Sequence, residues 1–193
     1  LCFTLDGQAY AGELAQPGLH NQMNALAAMA AARHVGVTPD IALAALQEFR
    51  GVRRRMELKG VHAGVSVYDD FAHHPTAIRC TVESFSKRQD ERSGRLIVIL
   101  EPRSNSMQMG VHKDQLATSL AAAEHCFVFD NGSLEWSLAE VFSDSSVVIQ
   151  DDVELLVQSV ADLAQAGDNV LVLSNGGFQG FCERLCKQLS KIS

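Results

Sequence analysis

Apolar and polar positions fall into two textures along the chain. Over residues 1–14, short apolar stretches flank Asp6-Gly7, a turn dipeptide that suits a tight hairpin, so two short strands are expected there. Pro17-Gly18 then breaks the pattern. From Leu19 to about His34 an Ala- and Met-rich run reads as a helix stopped at Gly36. Thr38 as N-cap and Pro39 at the first helical position predict a second helix to about Phe49. Beyond Gly51 the texture changes. Arg54 to His62 and Gly64 to Phe71 read as paired strands around Ala63-Gly64, and Pro75 opens a helix to about Lys87. Apolar strands then alternate with helices: strand Arg95–Glu101, helix Val111–Ala123, strand His125–Asp130, a looser stretch around Trp136, strand Val147–Gln150, helix Val153–Ala166, strand Asn169–Ser174 and a last helix from about Phe178.

Short, almost wholly apolar strands separated by helices are buried on both faces. They predict an α/β fold: a Rossmann-like, mostly parallel sheet with helices on both sides. The boundary falls near residues 50–55. Residues 1–52 then form an α-rich tail of one domain, and 53–193 a complete α/β domain. The first fifty residues are expected to expose apolar surface and drive self-association if the rest of their domain is missing.

Composition narrows the functional classes. The 193 residues are 47% apolar and 20% charged, as expected of a globular chain, and the formal charge is −7. That sign disfavours a nucleic-acid partner. No apolar run is long enough to span a membrane, and Leu1 to Leu5 lacks the basic start of a signal peptide. A first residue other than Met suggests a piece of a longer chain. The five cysteines are odd in number and scattered, which fits a reducing cytoplasm. Cys182 and Cys186, one helical turn apart, lack partners for a metal site and read as small buried residues.

Five polar strings interrupt this pattern. In Gly18-Leu19-His20-Asn21-Gln22-Met23-Asn24, Asn21 and Asn24 share a helix face. A carboxamide pairs with the N6/N7 edge of adenine, although ordinary helix capping explains the same residues. The basic run Arg53-Arg54-Arg55 can grip phosphate or ribose oxygens, at most one or two of the three doing so. In Tyr68-Asp69-Asp70-Phe71-Ala72-His73-His74-Pro75-Thr76, carboxylates sit at a strand's C-terminal end, where open α/β sheets collect ligands. Two histidines follow beside a helix N-terminus, which favours anions. Glu101-Pro102-Arg103-Ser104-Asn105-Ser106 offers one cation and several hydroxyl or amide donors, suited to a carboxylate, and a plain polar loop explains the same string equally. Ser174-Asn175-Gly176-Gly177-Phe178 lets backbone approach a ligand closely. No Walker-A loop, dinucleotide fingerprint or nucleophile elbow occurs, so the chain holds parts of a nucleotide site without a phosphate cradle.

In this order the strings resemble the Mur ligase family: G-x-H-N-x-x-N, then an arginine run before x-Glu, then D-D-x-x-H-H-P-T. His73-His74-Pro75-Thr76 resembles the branches that add alanine or a peptide. Glu101–Ser106 and Ser174–Phe178 are similar to the peptide-adding branch. The resemblance implies an ATP- and Mg²⁺-dependent ligase of peptidoglycan recycling in the cytoplasm. It would join L-alanyl-γ-D-glutamyl-meso-diaminopimelate to UDP-N-acetylmuramate through an acyl phosphate. It also implies roles for residues. Asn21 and Asn24 would contact adenine, Arg55 the nucleotide's sugar or phosphates, and Asp70 the ribose. His73, Arg103, Ser104, Asn105 and the loop Ser174, Asn175, Gly176, Gly177, Phe178 would face the peptide. His74 would join them or brace its loop. The resemblance places the phosphate loop and metal ligands outside this chain, so no catalytic or metal-binding residue is expected in it and it would be inactive alone. The alternatives are an alanine-adding ligase and a non-catalytic nucleotide- or peptide-binding module. Oligomeric state is not readable from the sequence.

Overall fold

The computed structural model describes residues 1–14, 18–89, 94–143 and 145–192, with 87–89 in backbone only. Pro17, expected to break the chain, lies outside them. The structure divides into two compact units, Leu1–Val52 and Arg53–Ser193.

In the first unit, β1 (Cys2–Leu5) and β2 (Gln8–Ala11) pair antiparallel about Asp6-Gly7. Both turn residues have positive φ, as a two-residue hairpin turn requires. Helices α1 (Leu19–His34) and α2 (Pro39–Glu48) follow. Thr38 adopts the extended backbone of an N-cap, although its side chain makes no capping bond. Met29, Ala42 and Leu43 form a small core with Phe3, Tyr10 and Leu46 against it. Leu19, Met23, Val35 and Ile41 are more than half exposed, the apolar surface expected of this region.

The second unit is a six-stranded sheet in the order β3-β4-β8-β5-β6-β7. The strands are β3 (Glu57–His62), β4 (Val65–Asp70), β5 (Leu96–Leu100), β6 (His125–Phe129), β7 (Val148–Gln150) and β8 (Asn169–Leu173). β3 is antiparallel to β4, and the other pairs are parallel. All five residues of β5 are buried because successive side chains enter opposite cores. Val65, Val67, Ile97, Ile99, Val170 and Val172 pack against α7 (Val153–Leu163) and α8 (Phe181–Leu189). Leu96, Val98, Leu100, Leu171 and Leu173 face α3 (Pro75–Gln89) and the short helices α4 (Asn105–Gln108), α5 (Lys113–Ser119) and α6 (Leu138–Val141). Each fully buried Leu, Ile or Val contributes about 1.5–3 kcal/mol of transfer free energy.

Several boundaries differ from the expected ones for local reasons. β3 starts at Glu57 because Arg54 and Met56 take left-handed φ of 56° and 49°. The helix expected over Val111–Ala123 is present as the shorter α5, and the unexpected turn α4 precedes it, ended by Gly110 at a left-handed φ of +71°. The stretch around Trp136 contains α6, capped by Ser137. α7 stops at Leu163 because Gln165 N–H turns back to Asp168. The last helix starts at Phe181. Before it, Phe178–Gly180 form one 3₁₀ turn with Gln179 left-handed.

The connection leaving β8 goes to α8 on one face, whereas those leaving its neighbours β4 and β5 go to α3 and α4 on the other. The C-terminal ends of β4, β8 and β5 therefore form the crevice where ligands gather in open α/β sheets.

Candidate functional site

Strand alternation splits the two aspartates at the end of β4. Asp69 pairs with Val172 and points to the α8 side, whereas Asp70 pairs with Leu173 and points to the α3 side. Asp70 is 3% exposed. One carboxylate oxygen accepts Met56 N–H at 2.8 Å and the other Ala72 N–H at 2.8 Å. Burial pushes its pKa up, and these two N–H bonds offset part of the rise. In this arrangement Asp70 ties the arginine run to the loop after β4.

The three arginines separate. Arg54 is half-buried: its Nε meets Asp69 at 3.1 Å and its Nη2 donates to the Ser174 carbonyl at 2.6 Å. Arg53 lines a cleft. Arg55 is exposed beside the Phe71 ring, 5.8 Å from its centre, and its charge acts on Asp70. Arg55 and Asp70, expected from the sequence to serve one nucleotide, thus lie together. Burial raises the pKa of Asp69 too, with the Arg54 charge opposing it.

The cleft, about 210 Å³, lies on the α8 side. Arg53, Lys59, Asp69 and Glu183 line it with Ser174, Gly176, Gly177 and Phe178 of the loop after β8. Lys59 and Glu183 were not candidates in the sequence, because nothing local marks a residue of β3 or α8 as facing this loop. Phe178 is 3% exposed and stacks on Phe181. It anchors the loop in the core while its left-handed backbone turns the chain.

The loops after β5 and β8 interlock. Ser174 Oγ donates to the buried Glu101 carboxylate at 2.5 Å. The Arg103 side chain lies across Gly176 so closely that a Cβ there would be 2.6 Å from Nη1. Ser104 occupies the N-cap position of α4 without a side-chain capping bond, and the helix begins at Asn105, two residues after Arg103. Asn175 Oδ1 is buried with no hydrogen-bond partner among the described residues. Glu101 was read only as part of a string; its contact with Ser174 spans the fold and leaves no sequence signal.

The histidines behave differently from each other. His73 Nδ1 lies 2.9 Å from the Phe71 carbonyl and its ring packs edge-on to Phe71. His74 is exposed, its Nδ1 accepts Thr76 N–H at 3.3 Å at the head of α3, and its ring abuts His112. In the first unit, Asn21 is half-buried and Asn24 exposed, three residues apart in α1. Among the described residues no three His, Cys, Asp or Glu side chains cluster to hold a metal ion, and no helix is long and apolar enough to cross a membrane. Burial pushes the Cys126 thiol up to about 12 and the Cys182 thiol higher still, so both are inert packing residues.

Residues 54–176 match the family model described as Mur ligase, glutamate ligase domain. The chain is 46% identical over 179 residues to the UDP-N-acetylmuramate–L-alanyl-γ-D-glutamyl-meso-2,6-diaminoheptandioate ligase of Escherichia coli (strain K12), covering 90% of this chain and 38% of that protein. Among solved structures it is similar to a murein peptide ligase from Psychrobacter arcticus, with 40% identity and a TM-score of 0.71 over 96% of this chain and 40% of that one. It is also similar to a separately crystallised domain of a ligase from Haemophilus ducreyi, with 35% identity and a TM-score of 0.60. That match covers 70% of this chain and 99% of the other. The chain spans under half the length of the curated relatives it matches.

Proposed function

We propose, from the premise that the chain belongs to the Mur ligase family, that it is the C-terminal part of an ATP-dependent ligase joining a murein tripeptide to UDP-N-acetylmuramate. Residues 53–193 are the peptide-binding domain, and 1–52 the end of the nucleotide-binding central domain. The single observation that carries this reading is the meeting of three loops at one sheet edge: Asp70–His74, Glu101–Asn105 and Ser174–Phe178, tied by Ser174 N–H to the Asp70 carbonyl, Ser174 to Glu101 and Arg103 against Gly176.

ATP would transfer its γ-phosphoryl group to the sugar carboxylate, the β–γ bond breaking to release ADP and leave an acyl phosphate, and Mg²⁺ held outside this chain would offset the charge. The peptide amine then attacks the acyl carbon, and phosphate leaves as the amine loses its proton. This chain's residues bind and align. Arg55 has its guanidinium in solvent at the edge and fits an anionic oxygen of the nucleotide. Asp70 fits that site as a brace for the arginine run and offers remaining lone pairs to a ribose hydroxyl. Asn21 and Asn24 meet adenine. Arg103 pairs with a peptide carboxylate, and Ser104, Asn105, His73 and the 174–178 loop complete that side. The chain has no Walker-A sequence and no metal cluster among its described residues. By family resemblance the phosphate cradle and metal ligands belong to the rest of the enzyme, so the 193 residues alone are expected not to turn over. The soluble nucleotide and sugar substrates of this reaction support a cytoplasmic location.

The test is phosphate release by the full-length enzyme with ATP, Mg²⁺ and UDP-N-acetylmuramate, offering tripeptide or L-alanine as amine. Release with tripeptide alone is expected. Release with L-alanine alone would move the protein to the alanine-adding branch, and ligation by the 193-residue chain alone would overturn the assignment of missing parts.

A further inference from the structure

The segment carrying Arg103, Ser104 and Asn105 continues into α4, a helix of only four residues. One turn of helix does not hold itself, because nucleation fixes several dihedrals for a single hydrogen bond. Two contacts hold this one. From below, Met107 is 1% exposed and buried in the core on the α3 face. From outside, the segment after β6 grips it. Trp136 Nε1 donates to the Met107 carbonyl at 2.6 Å, Glu135 N–H donates to the Gln108 carbonyl at 2.9 Å, and Gln108 Nε2 donates to Ser133 Oγ at 3.1 Å. The indole also lies over Gly110, where a Cβ would be 2.9 Å from Trp136 Cδ1. Gly110 has φ +71° and ends the helix. Its backbone geometry and its lack of a side chain both serve the same contact.

We propose that Trp136 is a positioning residue for the amine substrate: it clamps α4 and thereby fixes where Arg103, Ser104 and Asn105 stand at the sheet edge. Trp136 itself does not touch substrate. Its indole occupies the outer side of Met107 and Gly110, and its effect passes through the α4 backbone to the residues just before it. A clamp on this one loop affects the substrate that this loop binds and leaves the nucleotide's contacts, carried by Arg55 and Asp70 on the β4 side, as they were. This inference rests on the proposed role of Arg103–Asn105.

The experiment compares steady-state kinetics of the full-length enzyme with Trp136→Phe and Trp136→Ala, varying each of the three substrates in turn, with thermal unfolding run on the same samples. Phe keeps a ring over Gly110 and loses the donor to Met107; Ala loses both. The expected result is a KM for tripeptide raised severalfold in Trp136→Phe and about tenfold or more in Trp136→Ala, with KM for ATP and for UDP-N-acetylmuramate unchanged. If Trp136→Ala does not fold, Trp136→Phe alone decides. A tripeptide KM unmoved in a folded variant, or all three KM values rising together, would overturn the proposal, since a merely structural residue gives one of those patterns. Should the wild type use L-alanine in place of tripeptide, the ligase reading changes branch, and the same split read on the KM of L-alanine still decides the clamp.

Discussion

The two edges of the large sheet both bury charge, and they treat it in opposite ways. At the N-terminal edge, before β8, Asp168 is 3% exposed. It receives the Arg95 side chain at 2.6 Å, Arg95 N–H at 2.9 Å and Gln165 N–H at 2.9 Å. Burial pushes its pKa up, but the Arg95 bonds and the Gln165 N–H outweigh burial and leave it below the ordinary carboxylate value. Every acceptor direction is committed. At the C-terminal edge, Asp69 and Asp70 are held above that value because burial outweighs their partners, and Asn175 Oδ1 has no hydrogen-bond partner among the described residues. A charge that is fully answered stabilises the fold; one that is under-answered leaves free energy for a ligand to recover. On this ground the N-terminal edge serves as scaffold, and the C-terminal edge is the proposed site.

The most severe way to break this contrast is at Asp168. Asp168→Ala strands two backbone N–H groups and leaves Arg95 without its carboxylate partner. Removing one partner of a buried pair costs about 3–5 kcal/mol, and the low end is expected here because the Arg95 side chain is 32% exposed. A denaturant midpoint measures it. Substrate KM values per folded molecule stay unchanged. A loss below about 0.5 kcal/mol, the range of an ordinary surface change, would remove the N-terminal edge's claim to be scaffold.

Two glycines sharpen the same comparison at intermediate cost. A methyl at Gly94, φ +136°, would press on the carbonyl of Gly167, which is backbone and has nowhere to go. Gly94→Ala is expected to destabilise by about 2–3 kcal/mol through strain and overlap. A methyl at Gly176 would press on the Arg103 side chain, which can swing into solvent. Gly176→Ala is therefore expected to cost under about 1 kcal/mol of stability while raising the KM for the amine substrate about tenfold. Melting curves and kinetics on both variants test the pair. Equal melting temperatures would show that the two edges do not differ in rigidity.

A weaker effect should appear in the dependence of stability on pH. Asp168 has a lowered folded pKa. Its stabilisation is therefore fully present above the unfolded carboxylate value and is lost as pH falls through the folded one. Asp70 has a raised folded pKa, so its contribution is present below the unfolded value and is lost as pH rises through the folded one. The wild-type-minus-Asp168→Asn difference in unfolding free energy should grow with pH across the carboxylate range. The wild-type-minus-Asp70→Asn difference should shrink. Urea midpoints from about pH 3 to 7 bracket that range. Slopes of one sign in both series would contradict the assignment of the two edges.

Much of this was readable before folding, and the unread parts share a cause. Leu96–Leu100 is a wholly apolar run between helices, so its burial in a parallel sheet follows from composition alone. The strings at Asp69–His74, Glu101–Asn105 and Ser174–Phe178 lie at strand ends, so their meeting follows from parallel topology. What did not follow depends on contacts between distant residues or on single backbone angles. α4 is held by an indole 29 residues away. The division of labour among Arg53, Arg54 and Arg55 is set by the left-handed turn at Arg54. The opposite facing of Asp69 and Asp70 is implied by period-two alternation, yet which face carries the cleft depends on where α8 packs.

The finest test concerns His74, which the motif left between substrate contact and brace. Its Nδ1 accepts Thr76 N–H at 3.3 Å, the bond a capping side chain makes at the start of a helix. Asn performs the same capping with a shorter side chain, so His74→Asn should keep stability within about 0.5 kcal/mol. Ala, which cannot accept the bond, should cost about 1 kcal/mol. If bracing is the whole role, the amine KM stays level in His74→Asn, because Thr76 N–H remains answered and α3 begins where it did. If the imidazole also meets the peptide, His74→Asn raises that KM with no loss of melting temperature. Because His74 is exposed and its ring abuts His112, the Asn variant also removes that ring contact. His112→Ala on its own separates the two effects: it removes the ring pair and leaves the cap untouched. A rise in amine KM shared by both variants would assign the role to the histidine pair, and a rise in His74→Asn alone would assign it to His74.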